Sequence, residues 1–283
     1  LRLGEVEPRR RTDATEPYPI HSLEVGSGPP LLLIHGASGG AANWYRLLGP
    51  LSSDHWVHAP DLPGFGLSPA LTPRPGLGEQ TADVLLAWAH RTLHEPFDVV
   101  GTSFGGLVAL RMAQRAPGSV RRLVLIDSVG LGRMLPAVVR ASTLPVIRNV
   151  LRRPTRSGTA WLLRRLMVAD PRRLAPDERE ALIDYLWVSA RAGAAMLAEA
   201  MVRFAGLGGQ YEVLSDGELG AIDHPTLVLW GERDRFLPLS HGERAARHIP
   251  RASLDVIPNV GHSPNWEAPR DVGARLRRFL RTT

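Results

Sequence analysis

A serine flanked by glycines follows an apolar run in Val99-Val100-Gly101-Thr102-Ser103-Phe104-Gly105-Gly106. The order of strand, Gly-x-Ser-x-Gly and helix is what a nucleophile elbow requires, because only glycines fit beside a serine on so tight a turn. Ser103 is therefore the candidate nucleophile. The same pentapeptide also fits a plain glycine-rich connection with a capping serine, so the rest of the chain must decide between the two.

A serine hydroxyl is a weak nucleophile until a base takes its proton, and the base needs an acid that fixes its tautomer. His262 is the candidate base, because it lies between the last apolar run and the final helical segment; the alternative is a solvent-exposed loop histidine. Asp234, just past the apolar run Thr226–Gly231, is the favoured acid, and Asp127, past an earlier run, is its rival. The chain order serine, acid, histidine differs from the orders in trypsin-like and subtilisin-like proteases.

Acyl transfer through a serine also requires two backbone N–H groups that face the developing oxyanion. Phe104, directly after the candidate nucleophile and at the start of a helical segment, is the first donor candidate. The second lies in the turn His35–Gly40, where Ala37 is the first choice and Ser38 the runner-up. A simple glycine-rich turn is the alternative, but the position of this turn after an apolar run favours an oxyanion hole.

The elements that must position these residues are short apolar runs separated by helical segments. Most runs are apolar throughout rather than alternating, which is typical of strands covered on both faces. The sequence therefore predicts an α/β fold with a mostly parallel central sheet, flanking helices and right-handed crossovers. The predicted strands are Leu31–His35, Trp56–Ala59, Phe97–Gly101, Leu123–Asp127, Thr226–Gly231 and Ser253–Ile257, with Ile20–Val25 as an antiparallel edge strand or part of a hairpin. The predicted helices between them are Glu79–His94, Phe104–Ala116, His241–His248 and Pro269–Leu280.

The strand pattern stops between residues 131 and 219, where helical periodicity replaces it around Leu135–Leu151, Gly158–Val168 and Pro176–Phe204. We expect a core built from residues 1–130 and 220–283, and an all-helical cap of residues 131–219 above the carboxyl edge of the sheet, where open α/β sheets bind ligands. Apolar side chains of this segment either line a substrate pocket or hold its helices together. They are Leu162, Leu163, Leu166, Met167, Leu186 and Met196.

Five motifs in this order resemble the α/β-hydrolase superfamily over nearly the whole chain, from Leu31 to Leu280. They are His35-Gly36, Asp61–Ser68, Gly101–Gly106, Trp230–Asp234 and Gly261-His262. The resemblance implies an α/β-hydrolase fold with a helical cap and a Ser-His-Asp triad. Haloalkane dehalogenases and most epoxide hydrolases carry aspartate where this chain has Ser103, so the resemblance is to the serine-nucleophile branch.

Two further segments, Arg233–Leu239 and Gly261–Glu267, are similar to the meta-cleavage-product hydrolases, which split carbon–carbon bonds in ring-fission dienones. Thr102 stands where those enzymes usually have asparagine, and Ser263 stands in place of an aromatic residue. We therefore expect a serine hydrolase of the carboxylesterase type that cleaves a carboxylic ester through an acyl-enzyme. Carbon–carbon bond hydrolysis is the alternative, and a non-catalytic small-molecule-binding protein is a third hypothesis that an intact triad disfavours.

The composition limits the cofactors. The 283 residues include no cysteine, which excludes disulfides, thiolate metal sites and a cysteine nucleophile. The spacing His55-x-x-His58 occasionally binds a metal, but at the start of a strand the two side chains need not converge. We expect neither a metal nor an organic cofactor.

The composition also indicates the partners. All 34 basic residues are arginine and the net charge is +6, which fits either a genomic bias or an anionic partner such as an acidic carrier protein. The basic residues are spread along the chain without a nucleic-acid-binding motif, and no run is long enough to cross a bilayer. The expected partner is a small ester or related carbonyl compound with an apolar moiety. Residues 1–19 lack the apolar run of a signal peptide, so a cytoplasmic location is expected; the oligomeric state stays open.

Overall fold

The structure, a computed structural model, describes residues 6–13 and 18–281. Its strands are β1 (Arg9–Asp13), β2 (Ile20–Val25), β3 (Pro30–Ile34), β4 (Trp56–Pro60), β5 (Phe97–Thr102), β6 (Val120–Ile126), β7 (Ala205–Gly206), β8 (Gly209–Gln210), β9 (Thr226–Gly231) and β10 (Ala252–Ile257). Eight of them form one sheet in the order β1-β2-β4-β3-β5-β6-β9-β10. Strands β3 to β6, β9 and β10 pair in parallel, whereas β2 pairs antiparallel with both β1 and β4.

Helices cover both faces of this sheet. The α-helices of the described residues are α1 (Tyr45–Ser52), α2 (Leu77–Thr92), α3 (Phe104–Arg115), α4 (Ala137–Ala141), α5 (Pro145–Leu151), α6 (Arg156–Leu162), α7 (Pro176–Ala192), α8 (Ala194–Phe204), α9 (Asp216–Gly220), α10 (Leu239–His248), α11 (Pro264–Glu267) and α12 (Pro269–Arg281). A π-helical turn, Leu163–Met167, continues α6.

The uniformly apolar strands are explained by burial on two sides. Side chains alternate across a strand, so Leu32 and Ile34 of β3 pack in one cluster with residues of α2 and α3. Leu31 and Leu33 of the same strand pack in a second cluster with α1 and α12. The predicted α/β fold with a mostly parallel, doubly covered sheet is confirmed.

Residues 131–219, the cap segment, add no strand to the main sheet. They form α4 to α9, of which α7 and α8 meet at Gly193 and split the single helical stretch expected over Pro176–Phe204. The segment also contains the two-residue antiparallel pair β7 and β8, which the helical periodicity did not indicate.

The two ends of the cap segment lie side by side. The N–H of Leu214 donates to the carbonyl oxygen of Gly130 over 2.9 Å. From α10, the guanidinium of Arg244 donates to the carbonyl oxygens of Leu131 and Leu214, each over 2.9 Å. One core side chain therefore joins the place where the chain leaves the sheet to the place where it returns.

Strand and helix bounds agree with the sequence-based expectations to within a few residues. Ile20–Val25 pairs antiparallel with both β1 and β4, so β1 and not Ile20–Val25 is the edge strand. The expectations did not include β1, α1 or α11. No helix in the described part of the chain is both long and apolar enough to cross a membrane.

Candidate active site

Ser103 occupies a strained turn between β5 and α3. Its φ of 51° and ψ of −118° are unusual for a residue with a side chain, and such strain persists only where the surroundings enforce it. The Ser103 N–H donates to the carbonyl oxygen of Ile126 over 2.9 Å, and its own carbonyl oxygen accepts from Val129 over 3.1 Å. The elbow is thus fixed to the end of β6.

The glycines beside Ser103 are required by close backbone packing. A Cβ atom on Gly101 would lie 2.2 Å from the carbonyl oxygen of Gly105, and one on Gly105 would lie 2.3 Å from that of Ile34. Neither neighbour is a side chain that could move away. The sequence motif therefore reflects contact between α3 and the strands β3 and β5.

Three side chains from three loops meet at the carboxyl edge of the sheet. His262 Nε2 lies 3.1 Å from Ser103 Oγ, and His262 Nδ1 lies 2.7 Å from Asp234 Oδ2. The other carboxylate oxygen of Asp234, Oδ1, accepts the backbone N–H groups of Phe236 and Leu237 over 2.7 and 2.9 Å. The carboxylate is therefore held in one orientation, with Oδ2 directed at the imidazole.

Asp127, the rival acid, is close but differently used. It is fully buried, and its Oδ1 accepts the N–H of Gly231 over 2.8 Å, while its Oδ2 has no hydrogen-bond partner among the described residues. Burial, followed by the negative charge of Asp234, raises the pKa of the Asp127 carboxyl well above its usual range. Asp127 therefore supports the end of β9, whereas Asp234 makes the contact with His262.

The expected oxyanion turn follows β3. Ala37, Ser38, Ser103 and Phe104 all line one cavity. Phe104 is the first residue of α3, so its N–H has no acceptor within that helix, and the N–H groups of Ala37 and Ser38 have no hydrogen-bond partner in the part of the chain that the structure describes. Both candidates for the second donor therefore remain available.

Two buried side chains, His35 and Asp61, stabilise this turn. The sequence did not identify either of them as a functional residue. His35 Nδ1 lies 2.7 Å from the carbonyl oxygen of Gly36, and its Nε2 accepts the N–H of Leu62. Burial lowers the pKa of His35, so the ring is neutral with its proton on Nδ1. Asp61 Oδ1 accepts the N–H of Ala41, and its Oδ2 accepts from the N–H of Leu67. Asp61 begins the motif Asp61–Ser68 directly after β4, and this position could have indicated its role.

A cavity of about 450 Å³ opens above Ser103. Its walls come from the cap segment and from the carboxyl edge of the sheet, and they are almost entirely apolar. Apart from His262, Arg153 is the one ionisable residue among the described residues that line it. Of the six apolar cap residues considered above, Leu162, Leu163, Met167 and Leu186 line the cavity, whereas Leu166 and Met196 pack in the core.

Glu267, in α11, ties the cap segment to the loop that carries His262. Its Oε2 accepts the N–H of Ala169 over 2.7 Å, and its Oε1 accepts the N–H of Gly261 over 2.8 Å. Burial raises the pKa of Glu267 to about 7, although both hydrogen bonds act in the opposite direction. Its two partners are 98 and 6 residues away along the chain, so no local sequence pattern predicts this role. The sequence analysis includes Glu267 only within the segment Gly261–Glu267.

One cluster of three side chains with metal-ligand chemistry exists in the described part of the chain. It consists of Asp127, Asp234 and His262, with ligand atoms within 4.8 Å of one another. The hydrogen bonds already given account for the positions of Asp234 and His262. His55 and His58 are both buried, and burial lowers the pKa of each.

A family model described as "alpha/beta hydrolase fold" matches residues 29–269. The 2-hydroxy-6-oxo-6-phenylhexa-2,4-dienoate hydrolase of Burkholderia cepacia is 29% identical over 258 residues, which cover 88% of this chain and 87% of the relative.

Two solved structures show the same similarity in three dimensions. The 2-hydroxy-6-oxo-6-phenylhexa-2,4-dienoate hydrolase from Rhodococcus sp. strain RHA1 matches with a TM-score of 0.86 and 26% identity, covering 98% of this chain and 100% of that one. A thermophilic esterase from Thermogutta terrifontis matches with a TM-score of 0.80 and 27% identity, covering 98% of each chain.

Proposed function

Because this chain belongs to the alpha/beta hydrolase fold family and is a hydrolase acting on a small molecule, we propose that it cleaves a carboxylic ester through an acyl-enzyme on Ser103. The observation that carries the proposal is the hydrogen-bonded series Ser103 Oγ, His262 Nε2 and Nδ1, Asp234 Oδ2, which opens into an apolar cavity. The series supplies a nucleophile, a base and an orienting acid in the order that acyl transfer needs.

In the first half of the reaction, Ser103 Oγ attacks the ester carbonyl carbon while His262 Nε2 takes the hydroxyl proton. Asp234 keeps the proton of His262 on Nδ1, so that Nε2 is available as the base, and it stabilises the imidazolium that forms. The tetrahedral oxyanion lies between the N–H groups of Phe104 and Ala37, or Ser38 as the alternative. The dipole of α3 stabilises it further. His262 then returns the proton to the departing alkoxide, which leaves as the alcohol.

In the second half, water replaces the alcohol. His262 Nε2 takes a proton from water as the water oxygen attacks the acyl-enzyme, and the same proton goes to Ser103 Oγ when the tetrahedral intermediate collapses to the carboxylic acid. No residue outside this set and no cofactor is needed for either half.

The cap segment, residues 131–219, acts in this proposal as a separate unit that shapes the acyl or alcohol site. Its contribution to the cavity comes from α4 to α8 and the segments that join them, and most of these lining residues are apolar. Such a wall favours an apolar substituent on the ester.

Labelling tests the proposal directly. A fluorophosphonate should modify the wild-type protein at Ser103, and hydrolysis of p-nitrophenyl butyrate should fall at least about a thousandfold in Ser103→Ala. Ser142→Ala is the matched control, because Ser142 also lines the cavity but lies in the cap segment. Undiminished activity in Ser103→Ala, or labelling of another residue, would show that the mechanism is wrong.

Carbon–carbon bond hydrolysis is the second candidate, and the named relatives favour it. The relatives from Burkholderia and Rhodococcus are hydrolases of a dienoate, a substrate that carries a carboxylate. In this chain, Arg153 is the one cation available to such a group among the described cavity residues, apart from protonated His262. Assaying a ring-fission dienoate beside p-nitrophenyl esters separates the two candidates. Fast turnover of the dienoate with negligible ester turnover would replace the ester proposal.

A further inference from the structure

The first part of the cap segment has an unusual charge. Residues 131–169 contain eight arginines and neither aspartate nor glutamate. The net charge of the whole chain is +6, so the remaining residues carry a small excess of acidic groups. The eight are Arg133, Arg140, Arg148, Arg152, Arg153, Arg156, Arg164 and Arg165.

Part of this charge is not neutralised inside the protein. Arg152 pairs with Glu199, and Arg156 pairs with Glu180 and Asp184. By contrast, the exposed side chains of Arg153, Arg164 and Arg165 have no carboxylate within 4 Å anywhere in residues 6–13 and 18–281. These three are available to an external anion.

The same region exposes large apolar side chains around the cavity entrance. Val138, Ile147, Trp161 and Leu162 line the cavity, yet each is more than a third exposed. They therefore stand at its mouth. Beside Ile147 in α5, Val146 is 80% exposed, and Leu144 just before this helix is also exposed. We call the apolar residues Val138, Leu144, Val146, Ile147, Trp161 and Leu162, together with the three unpaired arginines, the mouth surface.

We propose that the mouth surface docks on an anionic lipid bilayer. Arginine beside exposed aliphatic and indole side chains is the composition of segments that lie in a membrane interface, where cations meet acidic headgroups and apolar groups enter the acyl region. Arg164 and Arg165 stand three and four residues after Trp161 in one helical run, so charge and apolar surface adjoin on the same side. An acidic carrier protein would use the arginines but gives no role to Val146 and its neighbours.

Docking in this orientation places the cavity entrance against the lipid. An ester with a long apolar chain could pass from the bilayer into the apolar cavity without crossing water. The substrate class that follows is an amphiphilic ester held in a membrane. This delivery step rests on the proposed function, whereas attachment to the bilayer does not.

The test therefore measures attachment with catalysis removed. Ser103→Ala protein is sedimented with vesicles of phosphatidylcholine alone and with vesicles of equal parts phosphatidylcholine and phosphatidylglycerol. Binding is expected to the anionic vesicles at low ionic strength, and it should weaken as salt is added. Absence of binding to anionic vesicles, or equal binding to neutral ones, would overturn the proposal.

Paired variants locate the surface. Arg164→Ala with Arg165→Ala should lower partitioning by about 30-fold, from the contribution of each arginine near an anionic surface. The control is Arg9→Ala with Arg10→Ala, which removes the same charge from two exposed positions of β1. Equal effects of the two pairs would mean that net charge alone drives binding and would contradict the docking site.

A second pair tests the apolar part. Val146→Asp should lower partitioning roughly tenfold or more, whereas Val188→Asp, at a valine that is 60% exposed in α7, should leave it unchanged. Circular dichroism checks that all variants are folded. Tight binding to polyaspartate without binding to vesicles would replace the lipid by an acidic protein.

Discussion

Replacing Asp234 by asparagine should nearly abolish activity while leaving the fold intact, and the structure shows why. Oδ1 of Asp234 accepts two backbone N–H groups, from Phe236 and Leu237. In the variant the amide oxygen must take this position, because an NH₂ group there would face two other donors. The amide nitrogen then faces His262 Nδ1 in place of Oδ2.

That orientation fixes the wrong tautomer. An NH₂ group can only donate, so Nδ1 of His262 must become the acceptor and its proton must move to Nε2. An N–H bond then points at Ser103 Oγ, across the 3.1 Å where a lone pair is needed. The same exchange in a serine protease lowers kcat by about 10⁴, which corresponds to about 5.5 kcal/mol of transition-state stabilisation. We expect a loss of that order here.

The matched control is Asp127→Asn. Its amide oxygen can keep the hydrogen bond from Gly231, and its NH₂ group replaces an Oδ2 that has no partner among the described residues. Burial disfavours the charged form of Asp127 and raises its pKa, so an uncharged amide suits this position. Activity should stay within about threefold of wild type.

The assay is kcat and KM for p-nitrophenyl butyrate, with urea unfolding to check stability. The expected result is a loss in kcat for Asp234→Asn at nearly constant KM, and little change for Asp127→Asn. If Asp127→Asn loses activity by orders of magnitude while Asp234→Asn retains it, the assignment of the acid is reversed and the reasoning fails.

Three further outcomes are expected. Gly105→Ala should destabilise the fold by about 3 kcal/mol, because its Cβ would clash with the Ile34 carbonyl oxygen. The control Gly118→Ala should leave stability unchanged, because no atom lies within 4 Å of the added Cβ. Equal urea midpoints for the two variants would contradict this prediction. Glu267 has a folded-state pKa of about 7, above its ordinary value, so the folded state holds a proton that the unfolded chain has lost. The wild-type unfolding free energy should therefore fall as pH rises from about 5 to 8, by up to about 3 kcal/mol, and Glu267→Gln should flatten that slope in urea titrations at each pH. Leu197→Trp, which narrows the cavity, should shift the preference among p-nitrophenyl esters from octanoate toward acetate; an unchanged ratio would place the acyl chain elsewhere.

The proposed catalytic residues could be identified in the sequence because each follows an apolar run that is typical of a buried parallel strand. Ser103, Asp234 and His262 stand directly after or shortly after β5, β9 and β10, and the carboxyl ends of such strands share one edge. This argument does not separate the favoured acid, Asp234, from its rival, Asp127, since both residues follow strands. The two acids differ in loop conformation, which directs Oδ2 of Asp234 at the imidazole of His262.

Other features left little trace in the sequence. The strand β1 has an exposed and half-exposed pattern, so it lacks the apolar periodicity that marks a strand. Glu267 joins Ala169 to Gly261 across the fold, and no local spacing encodes such a contact. Gly193 separates α7 from α8, although a single glycine inside a helical pattern does not by itself predict a break. The position requires glycine because a Cβ there would lie 2.8 Å from the Phe65 ring, a contact that the sequence does not show.

The junction at Arg244 would allow the cap segment to be exchanged during evolution while the sheet is retained. Gly130 and Leu214 are hydrogen-bonded neighbours, so the 83 residues between them leave and re-enter the sheet at one point. Closing that gap with a short turn would cost little, because loop-closure entropy depends only weakly on length. The intervening stretch could therefore be lengthened, shortened or exchanged for an unrelated one. Strands β6 and β9 would keep their register, and the hydroxyl of Ser103 would keep its position. A new substrate range would then require exchange of the chain at two points that lie close together in space, and the sheet would stay unchanged.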